Sequence, residues 1–154
     1  MVRRGDSIVI VIITCGKAKQ ACPAKAIDIY IGSVFKGKLK YAKSLYPDAP
    51  IYILSAKYGI IPSDKVIEPY DLMVPERENE FFRKWSKEVL GQLKQFDPKE
   101  EVVFLGNQHY YKPVDKYFTG KKHAPIIGLT PGRQLARLSQ ELDSVKNSQQ
   151  RRLF

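Results

Sequence analysis

Side chains that can bind anions, donate hydrogen bonds or stack on rings cluster in four short segments of the chain. The segments are 14–19 (TCGKAK), 55–71 (SAKYGIIPSDKVIEPYD), 106–111 (GNQHYY) and 130–134 (TPGRQ). Each directly follows an apolar run rich in Ile, Val or Leu, which is typical of a buried strand. Because ligands of open parallel sheets bind outside the carboxyl ends of the strands, we expect the four segments to form one site.

Phosphate binding is the chemistry that the first and last segments favour. Gly16 permits a sharp turn, and Lys17 and Lys19 can direct ammonium groups at phosphates. The first segment lacks the second glycine and the Lys-Ser/Thr ending of a Walker loop, which argues against NTP hydrolysis by a P-loop. In the last segment Arg133 stands at a predicted helix N-terminus, an anion-binding arrangement. The alternative for Arg133 is an ion pair with a surface carboxylate.

Recognition of a nucleobase is the chemistry that the second and third segments favour. Lys57 and Tyr58 form a cationic and aromatic rim, and Asp71 supplies a carboxylate that can orient water or stabilise an oxocarbenium-like sugar. Asn107 can hydrogen-bond to a base edge, and Tyr110 can stack on a base. The alternatives are that Asp71 caps a turn and that a tyrosine of the third segment belongs to the core.

The predicted site therefore has a catalytic part and a binding part. The catalytic candidates are Asp71 and Asn107. The predicted nucleic-acid and phosphate ligands are Cys15, Gly16, Lys17, Lys19, Ser55, Lys57, Tyr58, Tyr110, Arg133 and Gln134. Packing is the favoured role of the Cys15 thiol, and a nucleophilic thiolate stabilised by the lysines is its alternative. His109 is a further possible acid or base, with a structural role as its alternative.

No cofactor and no metal site are predicted. The two cysteines, Cys15 and Cys22, have neither zinc-ligand spacing nor the density of a disulfide scaffold. Their free thiols favour a reducing, cytoplasmic location. The longest apolar run, 8–13, is far shorter than the roughly 20 residues of a membrane span, so no membrane association is expected.

The charge of the chain predicts a polyanionic partner. Lys and Arg number 26 against 16 Asp and Glu, which gives a formal net charge of +10 on 154 residues. Nine tyrosines and seven phenylalanines supply faces on which bases can stack. We expect nucleic acid as the partner, with DNA favoured over RNA. The alternative is that the charge serves solubility or is the Lys-rich surface of a thermophile. The sequence predicts no oligomeric state.

Four apolar runs and the helical patterns between them predict the elements that position these segments. The predicted strands are Ser7–Thr14, Ile51–Ser55, Glu101–Leu105 and 125–129, and the predicted helices span about 31–46, 75–96, 110–118 and 131–145. This alternation predicts an α/β fold of three layers, in which a four-stranded parallel sheet of order 2-1-3-4 lies between helices. We expect one domain over residues 1–146, followed by a basic, polar tail at 147–154.

The same residues resemble a family of small YaaA-like proteins. The shared elements are C-G-K-x-K at 15–19, an apolar segment at 26–35, I-L-S-A-K-Y-G and its apolar continuation at 53–62, P-Y-D at 69–71 and a glycine-to-tyrosine element at 106–111. The resemblance runs from about residue 8 to 140. YaaA-like proteins are associated with DNA binding and protection against oxidative stress, so the resemblance implies a nucleic-acid role.

A more remote similarity links this layout to the uracil-DNA glycosylase fold and to an accessory domain of archaeosine-type tRNA-modifying enzymes. It implies base excision. The chain departs from the glycosylase pattern, however, because it has C-G-K-A-K in place of G-Q-D-P-Y-H and T-P-G-R-Q in place of H-P-S-P. Cleavage of an N-glycosidic bond would therefore depend on Asp71 or Asn107.

Two classes of function fit these observations. The first is a DNA glycosylase-like hydrolase that acts on a modified or damaged base in DNA repair, which the convergence of polar groups on one pocket favours. The second is a non-catalytic DNA- or RNA-binding domain, which the lack of a complete catalytic constellation favours. A binder of small nucleotides or nucleosides is a further alternative. The enzyme is the leading expectation.

Overall fold

The computed structural model describes residues 3–4 and 7–152, with side chains described for 9–148. The strands are β1 (Arg3–Arg4), β2 (Ser7–Thr14), β3 (Ala24–Lys25), β4 (Ile51–Ser55), β5 (Gly59–Pro62), β6 (Val66–Ile67), β7 (Glu101–Leu105) and β8 (Lys122–His123). The helices are α1 (Ala26–Ile29), α2 (Ser33–Leu45), α3 (Glu80–Leu93), α4 (Gln108–Tyr117) and α5 (Pro131–Arg152).

The main sheet is mixed, with a parallel centre. Five of its strands lie side by side in the order β5-β4-β2-β7-β8. The sixth, β1, pairs antiparallel with β2 at residues Ser7 and Ile8. Strand β2 runs parallel to β4 on one side and to β7 on the other, so that Val11 lies opposite both Ile51 and Val103. The predicted α/β class and the central position of Ser7–Thr14 are therefore confirmed.

The count and order of the strands differ from the expected four-stranded 2-1-3-4 sheet. The strand expected at 125–129 is absent, because 125–128 form a turn that ends with Gly128 at a φ of +79°. Ile126 is buried from within this turn, so its apolar character reflects the core and not a strand. The strand beside β7 is instead Lys122–His123. An additional edge strand, β5, folds back antiparallel onto β4.

Helices cover both faces of the sheet and make the three predicted layers. Alternate residues of β2 face opposite sides: Val11 and Ile13 pack with α1, α2 and α5, and Ile10 and Ile12 pack with α3 and α4. A strand buried on both faces needs a continuous apolar run, which explains the sequence SIVIVIIT.

Helix α3 begins later than its sequence predicts. We expected Pro75 at the first helical position, whereas the helix begins at Glu80. Asn79 is the N-cap, and its side-chain oxygen accepts a hydrogen bond from the Phe82 amide at 2.9 Å. Residues 75–79 consequently remain outside the helix, which leaves Glu76 in a loop.

The last helix begins at Pro131, as predicted, and continues to Arg152. It therefore extends through most of the segment 147–154 that we expected to be a polar tail. No helix within residues 3–4 and 7–152 has both the length and the apolar character needed to cross a membrane.

Candidate functional site

The three central strands end side by side, and their carboxyl ends carry the first three predicted segments. The Thr14 hydroxyl donates a hydrogen bond to the Leu105 carbonyl at 3.4 Å, which joins the ends of β2 and β7. The Cys15 amide donates to the Leu54 carbonyl at 3.0 Å, which joins β2 to β4. The expected convergence on one sheet edge is the arrangement found for these segments.

A hydroxyl cluster, formed by Ser55, Tyr70 and Tyr30, gives the loop after β4 its shape. The Ser55 hydroxyl oxygen accepts hydrogen bonds from the Lys57 and Tyr58 amides, both at 3.1 Å, and donates to the Tyr70 hydroxyl at 2.7 Å. The Tyr70 hydroxyl lies 2.7 Å from that of Tyr30. Either tyrosine hydroxyl can be the donor in that contact, so Ser55, Tyr70 and Tyr30 form one continuous chain of hydrogen bonds. Ser55 is fully buried, so it holds the loop and does not face a ligand, contrary to our expectation.

Cations lie over the rings of this cluster. The Lys19 ammonium is 4.4 Å from the ring centroid of Tyr70 and donates to the Lys17 carbonyl at 3.0 Å. The Lys57 ammonium is 5.3 Å from the centroid of Tyr58, whose ring meets that of Tyr70 edge-on. Lys17 and Lys57 are exposed. Three of the predicted phosphate ligands therefore share one surface with Tyr58, the ring of the predicted aromatic rim.

Further polar groups are buried or half-buried at the carboxyl ends of the strands. Lys38 of α2 is only 6% exposed, and its ammonium donates to the Thr14 hydroxyl at 3.0 Å. Burial lowers the pKa of Lys38 from 10.5 to about 8. The Cys15 thiol lies 3.6 Å from the Tyr110 hydroxyl, which also accepts from the Val74 amide at 3.1 Å. Cys15 is half-buried and contacts the core, in agreement with the packing interpretation.

Tyr110 belongs to the core and not to a stacking surface. Its side chain is 4% exposed, and its ring meets that of Trp85 edge-on at a centroid distance of 5.4 Å. The expectation that it stacks on a base is therefore corrected. The apolar neighbours supplied by α3 bury the ring, and its hydroxyl is held by Cys15 and Val74.

The buried ammonium of Lys38 makes the stability of the fold depend on pH. Its pKa is lowered in the folded state, so between about pH 8 and 10.5 the unfolded chain binds a proton that the folded chain does not. The free energy of unfolding therefore contains a contribution that rises with pH across this window, by about 3 kcal/mol in total. We expect Lys38→Met to remove this rise.

Urea unfolding at about pH 7.5 and about pH 10 measures the effect, with wild type and variant compared at each pH. Lys36→Met, at an exposed position of the same helix, is the matched control and should keep the wild-type pH dependence. The same pH dependence in Lys38→Met and wild type would contradict a buried, destabilised ammonium.

A cavity of about 550 Å³ opens where α4 and α5 begin. It is lined by Glu76, Asn107, Gln108, His109, Lys112, Gly128, Leu129, Thr130 and Pro131. The third and fourth predicted segments thus share one concave surface. The lining carries an imidazole, two amides, a carboxylate and an ammonium, which together can donate to and accept from a polar ligand.

A buried amide supports the floor of this cavity. Gln134 is 3% exposed, and its side-chain nitrogen donates to the Asn107 side-chain oxygen at 2.8 Å and to the Leu129 carbonyl at 2.9 Å. Gln134, expected to bind nucleic acid directly, is instead a positioning residue for Asn107. Arg133 is exposed in the first turn of α5 and lies next to the cavity without lining it.

The charge state of the cavity depends on burial and on nearby carboxylates. Burial lowers the pKa of His109, so the imidazole is largely uncharged at neutral pH, although the Glu76 carboxylate acts in the opposite direction. The Lys112 ammonium pairs with the Glu78 carboxylate at 2.8 Å on an exposed surface. Asp71, the carboxylate singled out from the sequence, is exposed and is not among the lining residues.

Several residues of the site were missed in the sequence. Glu76 falls within the helix predicted over about 75–96, and Lys38 falls within the one predicted over about 31–46, so neither was placed in a loop at the sheet edge. Tyr30 and Tyr70 could have been found from the sequence, since both lie in segments that the chain shares with YaaA-like proteins. Among the residues whose side chains are described, no group of three or more His, Cys, Asp or Glu is placed to hold a metal ion.

Comparison with known proteins supports part of the resemblance. The chain is 28% identical over 100 residues to a UPF0246 protein of Malacoplasma penetrans, a YaaA-like protein. The match covers 59% of this chain and 40% of the relative, so the chain spans about two fifths of the length of that protein. No solved structure matches. Residues 10–140 match the profile of the family of unknown function DUF6884. The match includes both the hydroxyl cluster and the cavity, and the chain therefore belongs to the DUF6884 family.

Proposed function

We propose that the protein binds DNA along the carboxyl edge of its sheet and takes one nucleobase into the cavity beside Asn107. The observation that carries this proposal is the cavity itself, in which groups able to read a base edge lie next to a helix N-terminus. Its volume of about 550 Å³ is within the usual range of small-ligand sites. Amides and imidazoles are side chains that hydrogen-bond to the edges of unstacked bases.

The cations around the cavity and the hydroxyl cluster suit the phosphates of such a ligand. Lys17, Lys19 and Lys57 lie on the surface after β2 and β4, and Arg133 lies in the first turn of α5. Backbone N–H groups at the start of α5 add a further anion-binding element. The formal net charge of +10 gives the protein a general attraction for polyanions.

Fluorescence anisotropy on short single-stranded oligonucleotides tests this proposal. One strand carries a single thymine among abasic residues, and the other is abasic throughout. We expect the thymine strand to bind about tenfold more tightly, because hydrogen bonds between the cavity and a base edge contribute roughly 1–3 kcal/mol. Both affinities should fall as salt is raised. Equal affinity for the two strands, or affinity that does not depend on salt, would contradict the proposal.

Hydrolysis of the N-glycosidic bond is the second candidate function. It is favoured by the presence of the Glu76 carboxylate and the uncharged His109 imidazole in the same cavity as Asn107. The carboxylate would accept a proton from water as the oxygen bonds to C1′. The C1′–N bond would break with its electron pair passing to the base, while Asn107 hydrogen-bonds to the departing ring. The non-catalytic alternative uses the same surface without this step.

A further inference from the structure

The orientation of the Gln134 amide is determined by the groups around it. Its side-chain nitrogen lies 2.9 Å from the backbone carbonyl of Leu129, and a carbonyl oxygen can only accept a hydrogen bond. The group that faces Leu129 must therefore be the NH₂ group. Gln134 is 3% exposed, so water cannot substitute freely for these partners.

The orientation of Asn107 follows from that of Gln134. A primary amide nitrogen carries two hydrogens, and the second one points at Asn107 over 2.8 Å. The atom of Asn107 that faces Gln134 must be its oxygen, because two NH₂ groups would repel each other. The Asn107 oxygen thus accepts from Gln134 with one of its two lone pairs, and its NH₂ group points away from Gln134.

The amide hydrogens of Asn107 are available to hydrogen-bond to a ligand in the cavity. Asn107 is the N-cap residue of α4, yet its side chain makes no capping hydrogen bond. It lines the cavity, and its bond to Gln134 is the side-chain hydrogen bond that the described part of the chain gives it. A ligand in the cavity therefore meets a hydrogen-bond donor at this residue.

We propose that Asn107 acts as a donor that selects nucleobases with a keto oxygen over those with an amino group. This inference rests on the proposed binding of a base in the cavity. Thymine, guanine and hypoxanthine present a carbonyl oxygen where 5-methylcytosine and adenine present an NH₂ group. An amino base would place its own donors against those of Asn107, so this hydrogen bond would not form. Gln134 is the positioning residue that keeps Asn107 in this orientation.

The test uses single-stranded oligonucleotides with one base among abasic residues. Two pairs of bases are compared, thymine with 5-methylcytosine and hypoxanthine with adenine. The members of each pair share one ring skeleton and differ at the keto or amino group and at the hydrogen of the adjacent ring nitrogen. We expect the keto member of each pair to bind about five- to tenfold more tightly to the wild-type protein.

Two substitutions should change this preference to different extents: one reverses it and the other abolishes it. In Asn107→Asp one carboxylate oxygen accepts from Gln134 and the other faces the cavity, so the preference should reverse. In Gln134→Leu the hydrogen bond that fixes the Asn107 amide is removed. Keto and amino bases should then bind with about equal affinity, and both should still bind. Asn147→Asp, the same change at an exposed position of α5, should keep the wild-type preference. Thermal melts confirm folding, and Asn107→Asp alone decides if Gln134→Leu does not fold.

The possible failures are distinguishable. If strands with a base bind more tightly than the abasic strand but keto and amino bases bind equally, Asn107 does not select and this inference is wrong. An unchanged preference in Asn107→Asp would overturn it as well. If no strand with a base exceeds the abasic strand, the proposed base site itself is wrong, and the inference falls with it.

Discussion

Replacing Glu76 by Gln is expected to slow release of a base from DNA by about 10²–10⁴-fold while leaving DNA binding intact. The glutamine keeps the size of the side chain in the cavity but cannot accept a proton from water. The measurement is single-turnover base release from DNA that carries deaminated, oxidised or hypermodified bases. Alkali treatment then converts each abasic site into a strand break.

Asp71→Asn is the matched comparison for this prediction. Asp71 is the carboxylate that the sequence suggested. It is exposed, as Glu76 is, but unlike Glu76 it does not line the cavity. We therefore expect its replacement to slow base release by less than about tenfold. A large loss in Asp71→Asn with a normal rate in Glu76→Gln would transfer the catalytic role to Asp71. If wild-type protein releases no base from the whole panel, the hydrolase proposal is wrong and DNA binding alone remains.

Replacing Lys17, Lys19, Lys57 and Arg133 together by Ala is expected to weaken DNA binding about a thousandfold at roughly 0.1 M salt. On the single-stranded oligonucleotides used above, each lost phosphate contact should reduce the slope of log affinity against log salt by about 0.7. The loss should be similar for all base sequences, because phosphate contacts carry no sequence information. Fluorescence anisotropy over a series of salt concentrations gives both the affinity and the slope.

A second quadruple variant separates location from total charge. Lys43, Lys94, Lys99 and Lys116 are exposed and stand near the helix ends that lead back to the amino end of the sheet. Replacing them by Ala removes the same charge from the opposite edge, and we expect a change in affinity of less than about tenfold. Equal losses in the two variants would indicate a general charge effect and contradict a binding surface at the carboxyl edge.

The parts of the fold that could be predicted are those with a continuous apolar signal. Strands β2, β4 and β7 are extensively buried, so their sequences consist mainly of Ile, Val, Leu and Phe, with Tyr52 in β4 and polar residues at the strand ends. Edge strand β8 has only two residues, Lys122 and His123, and gives no such signal. The apolar run at 125–129 was misread because burial of Ile126 from a turn looks the same in sequence as burial from a strand.

The convergence of the polar loops on one edge of the sheet could be predicted, whereas the direction of their side chains could not. The rule for parallel sheets placed the important loops at the carboxyl edge without knowledge of packing. Whether a polar side chain faces outward depends on tertiary neighbours. Ser55 and Gln134 turn inward because loop amides, Tyr70, Asn107 and a backbone carbonyl satisfy their hydrogen bonds. Lys38 reaches the site from a helix that carries no motif.

Amide chemical shifts during titration with a short single-stranded oligonucleotide test the central claim most directly. The protein has a mass of 17.6 kDa, so its ¹⁵N–¹H spectrum can be followed residue by residue. If a base enters the cavity and phosphates lie along the carboxyl edge, the largest shifts will be at Gln108, His109 and Thr130, with further shifts at Lys17 and Lys57. Shifts confined to the opposite edge, around the second cavity of about 330 Å³ that Asp48 and Gln95 line, would contradict the account.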